Sequence, residues 1–258
     1  MKIVIDDNIP YIRGVLEPFA EVLYLPGNQT TAEVVRDADA LITRTRTPCS
    51  RELLEGSRVR LIATATIGFD HIDIDYCRRA GIAWINAPGC NAESVNQYLA
   101  SALFTYARRR NSPLRGRTIG IVGVGQVGSR IARTSEILGL NVLLNDPPRE
   151  RVEGSAEFVS LREISRCADI ISFHVPLNLD GPDRTRHMVD MDFCAGLEQR
   201  PLLVNTCRGE VFDTGALHAA LAADRLDGLI LDCWEHEPGI DVGLLACCLV
   251  DGSCWVIL

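Results

Sequence analysis

The sequence predicts an α/β protein in which helices cover both faces of parallel β-sheets. Most of nine short, largely apolar runs are apolar on both faces, as strands are when both faces of their sheet are buried. Stretches with helical periodicity lie between these runs, and this alternation of strand and helix is typical of doubly wound folds. No internal repeat with a period of about 20 to 50 residues occurs, which excludes a solenoid.

The elements follow one another along the chain, and we expect two α/β units, residues 1–92 and residues 93–243. An apolar stretch, residues 244–258, follows them. The predicted strands are residues 2–5, 40–43, 61–66, 83–86, 118–122, 142–145, 170–175, 202–206 and 229–234. The predicted helices include residues 72–79, 92–109, 127–138 and 214–223.

Composition excludes several classes of protein. The chain has 258 residues, and its 26 Lys and Arg against 34 Asp and Glu give a net charge of −8. An acidic chain without a basic run is a poor binder of nucleic acid or of anionic membranes. The ten cysteines show no zinc-binding pattern, so we expect no metal site. Neither a secretion signal nor a membrane-spanning run is present, so we expect a cytoplasmic protein.

The strongest local signal is a Gly-x-Gly-x-x-Gly pattern at residues 123–128, which follows an apolar strand and opens a helical stretch. In a dinucleotide-binding turn, Gly123 permits the tight turn, Gly125 lets the backbone approach a pyrophosphate, and Gly128 lets helix and strand pack closely. Free N–H groups at the helix start favour the phosphates. We expect cofactor contacts from the glycines and from Gln126 and Val127.

An acidic residue strengthens the prediction of a dinucleotide site. Asp146 follows the next predicted strand, where a carboxylate can accept hydrogen bonds from the adenosine ribose. A carboxylate there also repels a 2′-phosphate, so NAD is favoured over NADP. Arg149 lies close in sequence and weakens that preference.

Polar residues also follow the later strands of the second unit, where the carboxyl ends of parallel strands line a ligand crevice. Arg208 lies in such a segment, and an arginine there can bind a carboxylate through two parallel N–H bonds. Asp232 and Glu237 follow the last strand. For His174, a structural role beside the cofactor is favoured over a catalytic one.

The first unit has its own candidates for binding an anion. Arg44, Thr45 and Arg46 follow the strand at residues 40–43, and guanidinium and hydroxyl groups of this kind can bind a phosphate. The segment 64–71, which includes Thr66, leads from a strand into a helix. Its backbone N–H groups can bind a carboxylate or a phosphate.

Five motifs in order then resemble those of the D-isomer-specific 2-hydroxyacid dehydrogenases. The resemblance implies two Rossmann-like domains with a cleft between them, NAD as cofactor, and oxidation of a small phosphorylated 2-hydroxy acid. By this resemblance, residues 1–92 form the substrate-binding domain and residues 93–243 form the NAD-binding domain. The motifs are GxGxxG at 123–128, Asp146, His174-x-Pro176, NTCRGEVFD at 205–213 and DCWEHEP at 232–238.

The resemblance also assigns roles to single residues. Arg208 matches the arginine that binds the substrate's carboxylate and C2 oxygen, and Glu237 matches the carboxylate that orients the catalytic histidine. Asp232 matches a residue beside the nicotinamide. The remaining matches are cofactor contacts at Val175, Thr206 and Cys207, and substrate contacts at Thr45 and Thr66, to which Arg44 is added for the substrate phosphate.

One family feature has no counterpart in the 258 residues. The general base of the family is a histidine in a Pro-His-x-x-Gly motif, and none of the five histidines lies in that context. We therefore expect residues 244–258 to be a truncated or frame-shifted ending, although a last buried strand is an alternative. On this hypothesis the 258-residue chain binds NAD weakly or not at all and turns over orders of magnitude more slowly than a full-length homologue. The dimerisation domain of the homodimeric family is then missing as well.

Two other functions stay open on the sequence alone. One is another dehydrogenase of the same family that acts on 3-phosphoglycerate or on a simple 2-hydroxy acid. The other is an NAD-binding interaction protein without catalysis.

Overall fold

The computed structural model describes residues 1–154 and 156–250, with the backbone alone for residues 247–250. Contacts divide the chain into two units, one formed by residues 1–91 and the other by the residues from 92 onwards. Each unit is built on a five-stranded sheet in which every pair of neighbouring strands is parallel.

The first unit has the strand order β2-β1-β3-β4-β5. Its core packs apolar side chains of β3 and β4 against α1, α2 and α3, with Val35, Leu41 and Ile62 fully buried. Side-chain caps fix the starts of α1 and α3, at Thr31 and Asp73. The strands are β1 (Lys2–Asp6), β2 (Glu21–Leu25), β3 (Ala40–Thr43), β4 (Leu61–Thr64) and β5 (Ala83–Ile85), and the helices are α1 (Ala32–Val35), α2 (Arg51–Leu54) and α3 (Ile74–Ala80).

The second unit has the strand order β7-β6-β8-β9-β10. Strands β8, β9 and β10 are buried at every position, because helices cover both faces of this sheet. The strands are β6 (Thr118–Val122), β7 (Asn141–Asn145), β8 (Ile170–Phe173), β9 (Leu202–Asn205) and β10 (Gly228–Leu231). The helices are α4 (Ala92–Arg110), α5 (Gly128–Ile137), α6 (Pro147–Glu153), α7 (Leu161–Cys167), α8 (Met191–Ala195), α9 (Thr214–Ala222) and α10 (Val242–Val250).

Both sheets have the same connectivity. In each, the second strand along the chain lies on one side of the first strand, and the third strand lies on the other side. The connection therefore reverses direction beside the carboxyl end of the first strand, and ligands bind at such switch points in open α/β sheets. In the first unit this place lies between the ends of β1 and β3, and in the second between β6 and β8.

The predicted fold class, α/β with two parallel sheets, is confirmed. The prediction missed β2, a half-exposed edge strand without the continuous apolar pattern of the others. A last buried strand in residues 244–258 is wrong for the part that the structure describes, because residues 244–250 belong to α10. Residues 251–258, on which the rest of that expectation falls, lie outside the described residues.

Two further observations concern the described residues only. None of their helices is long and apolar enough to span a membrane. The seven cysteines among these residues, which include Cys207 and Cys233, are free thiols. These residues also contain no group of three or more His, Cys, Asp or Glu side chains that could bind a metal ion.

Candidate functional site

The turn between β6 and α5 needs glycine at two positions because the protein's own backbone passes close to it. Gly123 has φ +89°, and a Cβ there would lie 2.6 Å from the carbonyl oxygen of His174. A Cβ on Gly128 would lie 2.0 Å from the carbonyl oxygen of Gly123, so a side chain would push α5 away from the turn. Both glycines are thus fixed by packing within the unit.

Gly125 differs, since a Cβ there would meet no protein atom within 4 Å. Gly125 and Gln126 are exposed, and Val127, the residue before α5, provides no side-chain cap for the helix. The space above the middle of the turn is therefore open, next to the amino end of a ten-residue helix. This arrangement fits the phosphates of a dinucleotide, which such a helix end favours electrostatically.

Asp146 and Arg149 bind the two polar main-chain groups of Val124, a residue of the glycine turn. Asp146 Oδ2 accepts a hydrogen bond from the N–H of Val124 at 2.8 Å, and Arg149 Nη1 donates to the carbonyl oxygen of Val124 at 2.5 Å. Asp146 Oδ1 accepts from the N–H of Arg149 at 3.1 Å and so caps α6. The predicted ribose-binding carboxylate is thus also a support of the glycine turn.

His174, directly after β8, is held in a fixed orientation. Its ring nitrogens lie 2.8 Å from Ser172 Oγ and 3.2 Å from Thr206 Oγ1. Burial lowers the pKa of His174 to about 3, so the ring is neutral at physiological pH. Val175 follows and packs against the glycine turn, since a Cβ on Gly123 would lie 2.9 Å from its Cγ1. These contacts favour the structural role predicted for His174.

A buried amide organises the segment that carries Arg208. Asn205, the last residue of β9, is 1% exposed. Its Oδ1 accepts from the N–H of Cys207 at 3.1 Å, and its Nδ2 donates to the carbonyl oxygen of Arg208 at 2.9 Å. Arg208 Nη1 donates to the carbonyl oxygen of Cys207 at 2.7 Å. Burial raises the pKa of the Cys207 thiol to about 11, so it stays protonated.

The segment after β10 packs directly against this one. A Cβ on Gly209 would lie 2.0 Å from the carbonyl group of Trp234, so glycine is needed where the two segments meet. Glu237 Oε1 accepts from the N–H of Trp234 at 2.7 Å. Asp232 as a whole is exposed. Its carboxyl group is partly screened from water, and this desolvation together with the charge of Glu237 raises the pKa of that group. The contact between the segments places Arg208 and Glu237 on neighbouring loops.

The candidates of the first unit follow its third and fourth strands. Arg44 and Thr45 are exposed after β3, and Arg44 Nη1 donates to the carbonyl oxygen of Asn8 at 3.1 Å. Thr66 lies after β4, with its hydroxyl 2.6 Å from that of Thr64, and it donates to the carbonyl oxygen of Gly68 at 2.8 Å. All three residues therefore lie at the carboxyl edge of the first sheet.

The second unit brings the remaining candidates to the carboxyl edge of its own sheet. Their roles toward a ligand stay predictions. The residues that follow the strand ends at this edge are Gly123, Gly125, Gln126, Val127 and Gly128 after β6, Asp146 after β7, Val175 after β8, Thr206, Cys207 and Arg208 after β9, and Asp232 and Glu237 after β10.

Two residues that support the candidate site had no role in the prediction from sequence. The main chain of Val124 is the part of the turn that Asp146 and Arg149 hold, and Asn205 positions the Arg208 segment. Sequence patterns carry no signal for a main-chain contact. Asn205 did offer one, because an amide at the end of a buried strand must find hydrogen-bond partners nearby.

Comparison with known proteins agrees with this geometry. The family model described as the NAD-binding domain of the D-isomer specific 2-hydroxyacid dehydrogenases matches residues 90–247. The described strand ends of the second unit all lie inside that match.

Relatives of known name extend the similarity over both units. Erythronate-4-phosphate dehydrogenase of Bacteroides thetaiotaomicron is 53% identical over 246 residues, which are 95% of this chain and 71% of that protein. The enzyme of the same name from Porphyromonas gingivalis is 45% identical over 248 residues, 95% of this chain and 67% of that protein.

Among solved structures, D-lactate dehydrogenase from Aquifex aeolicus, complexed with NAD and lactic acid, is similar with a TM-score of 0.78. The two chains are 26% identical, and the similarity covers 95% of this chain and 80% of that one.

Proposed function

Because the chain belongs to the D-isomer-specific 2-hydroxyacid dehydrogenases and contains their NAD-binding domain, we propose that it oxidises 4-phospho-D-erythronate with NAD. The product would be 2-oxo-3-hydroxy-4-phosphobutanoate, on the route to pyridoxal 5′-phosphate. The observation that carries the substrate is the 53% identity to an erythronate-4-phosphate dehydrogenase across both units.

The cofactor site fits NAD on the contacts within the second unit. The turn at Gly125 is open where a pyrophosphate would lie, and two glycines hold the turn close to β8 and α5. Asp146 faces the turn with a carboxylate, which favours a ribose with a free 2′-hydroxyl over a 2′-phosphate. When bound, NAD supplies the acceptor for the hydride that leaves C2 of the substrate.

The protein's own residues would bind and orient the substrate. Arg208 would bind the carboxylate and the C2 oxygen, and Asn205 would keep the Arg208 segment in place. Glu237 would orient the group that takes the proton of the C2 hydroxyl. Arg44, Thr45 and Thr66 would bind the phosphorylated end of the substrate, since Arg44 presents an exposed cation at the edge of its sheet.

A direct test combines NADH binding with a single turnover. The sequence alone predicted weak or absent binding of NAD, but the open turn at Gly125 leads us to expect that NADH binds to the 258-residue chain, and fluorescence titration measures this. With protein in excess over NAD, we expect 4-phospho-D-erythronate to be oxidised faster than 3-phosphoglycerate or D-lactate. A single-turnover design detects the oxidation even when the chemical step is slow.

The outcomes separate the three functions that the sequence left open. Faster oxidation of 3-phosphoglycerate would replace the proposed substrate by another within the family. Tight NADH binding without oxidation of any hydroxy acid would support a non-catalytic NAD-binding protein. The resemblance implies a homodimer for the family, and the sequence analysis expects the dimerisation domain to be missing from these 258 residues. Gel filtration with light scattering tests the oligomeric state, and a cytoplasmic location remains a prediction.

A further inference from the structure

Arg149 poses a question about the choice between NAD and NADP. It lies three residues after Asp146, close to where a dinucleotide would place its adenosine ribose. In proteins that bind NADP, an arginine at this place accommodates the 2′-phosphate. By type and position, Arg149 is therefore suited to NADP, whereas Asp146 is suited to NAD.

The contacts of Arg149 resolve this conflict. All three nitrogens of its guanidinium donate hydrogen bonds within the protein. Nε and Nη2 donate to the two carboxylate oxygens of Glu153 at 2.7 and 2.9 Å, and Nη1 donates to the carbonyl oxygen of Val124 at 2.5 Å. The guanidinium carbon also lies 5.4 Å from the centre of the Phe158 ring. Arg149 is thereby fixed against the glycine turn.

Glu153 is the partner that holds Arg149 in this orientation. It is the last residue of α6, one turn after Arg149, and the two side chains form a bidentate pair. Hydrogen bonds from Arg149 lower the pKa of the Glu153 carboxyl group, so it is ionised at neutral pH. A carboxylate at this point both neutralises the arginine and repels a second anion such as a 2′-phosphate.

We propose that Glu153 determines the preference for NAD over NADP, by holding Arg149 on Val124 so that it does not bind a 2′-phosphate. Glu153 acts through Arg149 and is a positioning residue. The inference rests on the proposed function, since it requires a dinucleotide at the glycine turn. It adds that discrimination depends on an ion pair within α6 as well as on the carboxylate of Asp146.

The test is Glu153→Ala in the 258-residue chain, with NADH and NADPH titrated by fluorescence. We expect NADPH to bind about fivefold or more tightly than to the unaltered chain, the size of a well-formed surface pair, with NADH within about twofold. Glu150→Ala is the matched control. It removes the same charge from an exposed position of α6 and leaves the Arg149–Glu153 pair intact, so we expect it to change neither affinity.

A second variant shows whether the effect passes through the arginine. We expect Glu153→Ala combined with Arg149→Gln to lose the gain in NADPH affinity. An unchanged ratio of the two affinities in Glu153→Ala, or a gain that persists without Arg149, would overturn the inference while NADH binding stands. An unaltered chain that binds neither nucleotide would instead overturn the proposed cofactor site, and the role of Glu153 with it. Circular dichroism checks that each variant is folded.

Discussion

The two sheets have the same strand connectivity, but the loops at their switch points differ. In both units the first strand lies between the second and third, so the same edge positions are available in each. What differs is the segment after each strand. The comparison shows that the order of strands fixes where a ligand can bind, whereas the residues of the loops determine which ligand it is.

The first strands show the contrast most clearly. After β6 the chain turns through Gly123 and enters α5 at once, which leaves an open turn beside a helix end. In the first unit, Asp6 ends β1 and is 4% exposed, and its Oδ1 accepts hydrogen bonds from the N–H and side-chain amide of Asn8 at 2.9 and 3.2 Å. The first strand of the first unit thus ends in a buried carboxylate, whereas the first strand of the second unit leads into an open glycine turn.

The third strands differ in charge. His174 follows β8 as a neutral, half-buried ring, whereas Arg44 follows β3 as an exposed cation. A neutral group suits the uncharged parts of a dinucleotide, and an exposed arginine suits a phosphate or carboxylate. The four predictions below test this division between the units, in order of decreasing expected effect.

The largest effect is expected for a methyl group in the glycine turn. Gly128→Ala places Cβ 2.0 Å from the carbonyl oxygen of Gly123, which is main chain and cannot rotate away. We expect a loss of more than about 4 kcal/mol in the free energy of unfolding of the second unit, and no NADH binding. Urea unfolding and NADH fluorescence measure the two effects.

The matched change in the first unit is Gly27→Ala, whose Cβ would lie 2.8 Å from Asp6 Oδ2 and Thr47 Oγ1. These are side-chain atoms, so we expect a smaller cost of about 1 to 3 kcal/mol with NADH binding retained. Gly125→Ala meets no protein atom, and we expect unchanged stability with weaker NADH binding. Equal losses of stability in Gly128→Ala and Gly27→Ala would contradict the expected difference between a clash with main-chain atoms and a clash with side-chain atoms.

The next effect concerns the two aspartates at the strand ends. Asp146→Asn removes a charged acceptor that binds the N–H groups of Val124 and Arg149, and it replaces one oxygen by a donor. Hydrogen bonds to charged groups are worth about 1.5 to 3 kcal/mol, so we expect NADH affinity to fall about 10- to 100-fold. Asp6→Asn makes the same change in the first unit and should leave NADH affinity as it was.

Much of this architecture could be predicted from the sequence. Residues 40–43 and 118–122 were predicted with the observed strand bounds, because buried parallel strands are apolar throughout. Several predicted strands extend too far at their carboxyl ends, as at Thr66, Val175 and Thr206, which lie in the loops. A strand and the loop that carries the site are continuous in sequence, and only the end of the hydrogen-bonded ladder separates them.

The candidate site likewise contains residues that could be predicted from the sequence and contacts that could not. Residues whose type alone determines their chemistry, such as the glycines, Asp146 and Arg208, could be selected from the sequence. The support of the site could not, because it depends on contacts across strands: Asn205 with Arg208, and Arg149 with Val124. Arg149 is the clearest example. The sequence shows a cation near Asp146, and only the structure shows that Glu153 fixes the orientation of the Arg149 side chain.

The third prediction concerns His174 and pH. Burial lowers its pKa to about 3, whereas an unfolded histidine titrates near 6.5. Between these values the unfolded chain binds the proton and the folded chain does not, so stability is complete above about pH 6.5 and falls as the pH drops toward 3. The slope is at most about 1.4 kcal/mol per pH unit, or about 2 kcal/mol at pH 5.

The measurement is urea unfolding of the second unit at pH 7 and pH 5. His174→Gln keeps hydrogen-bonding groups toward Ser172 and Thr206 but does not titrate, and we expect it to lose this part of the pH dependence. The same slope in the variant and in the unaltered chain would show that His174 takes up its proton without unfolding.

The smallest effect is expected at Arg44, because an exposed cation acts through a strongly screening solvent. Arg44→Gln should weaken the binding of 4-phospho-D-erythronate about fivefold in calorimetry with NADH present, and this loss should shrink as salt is added. Arg58→Gln is the control, since it removes the same charge from an exposed residue of the same unit that pairs with Asp39 at 3.1 Å. If both variants lost affinity equally, the effect would come from the net charge of the unit, and Arg44 would have no specific place at the edge of the first sheet.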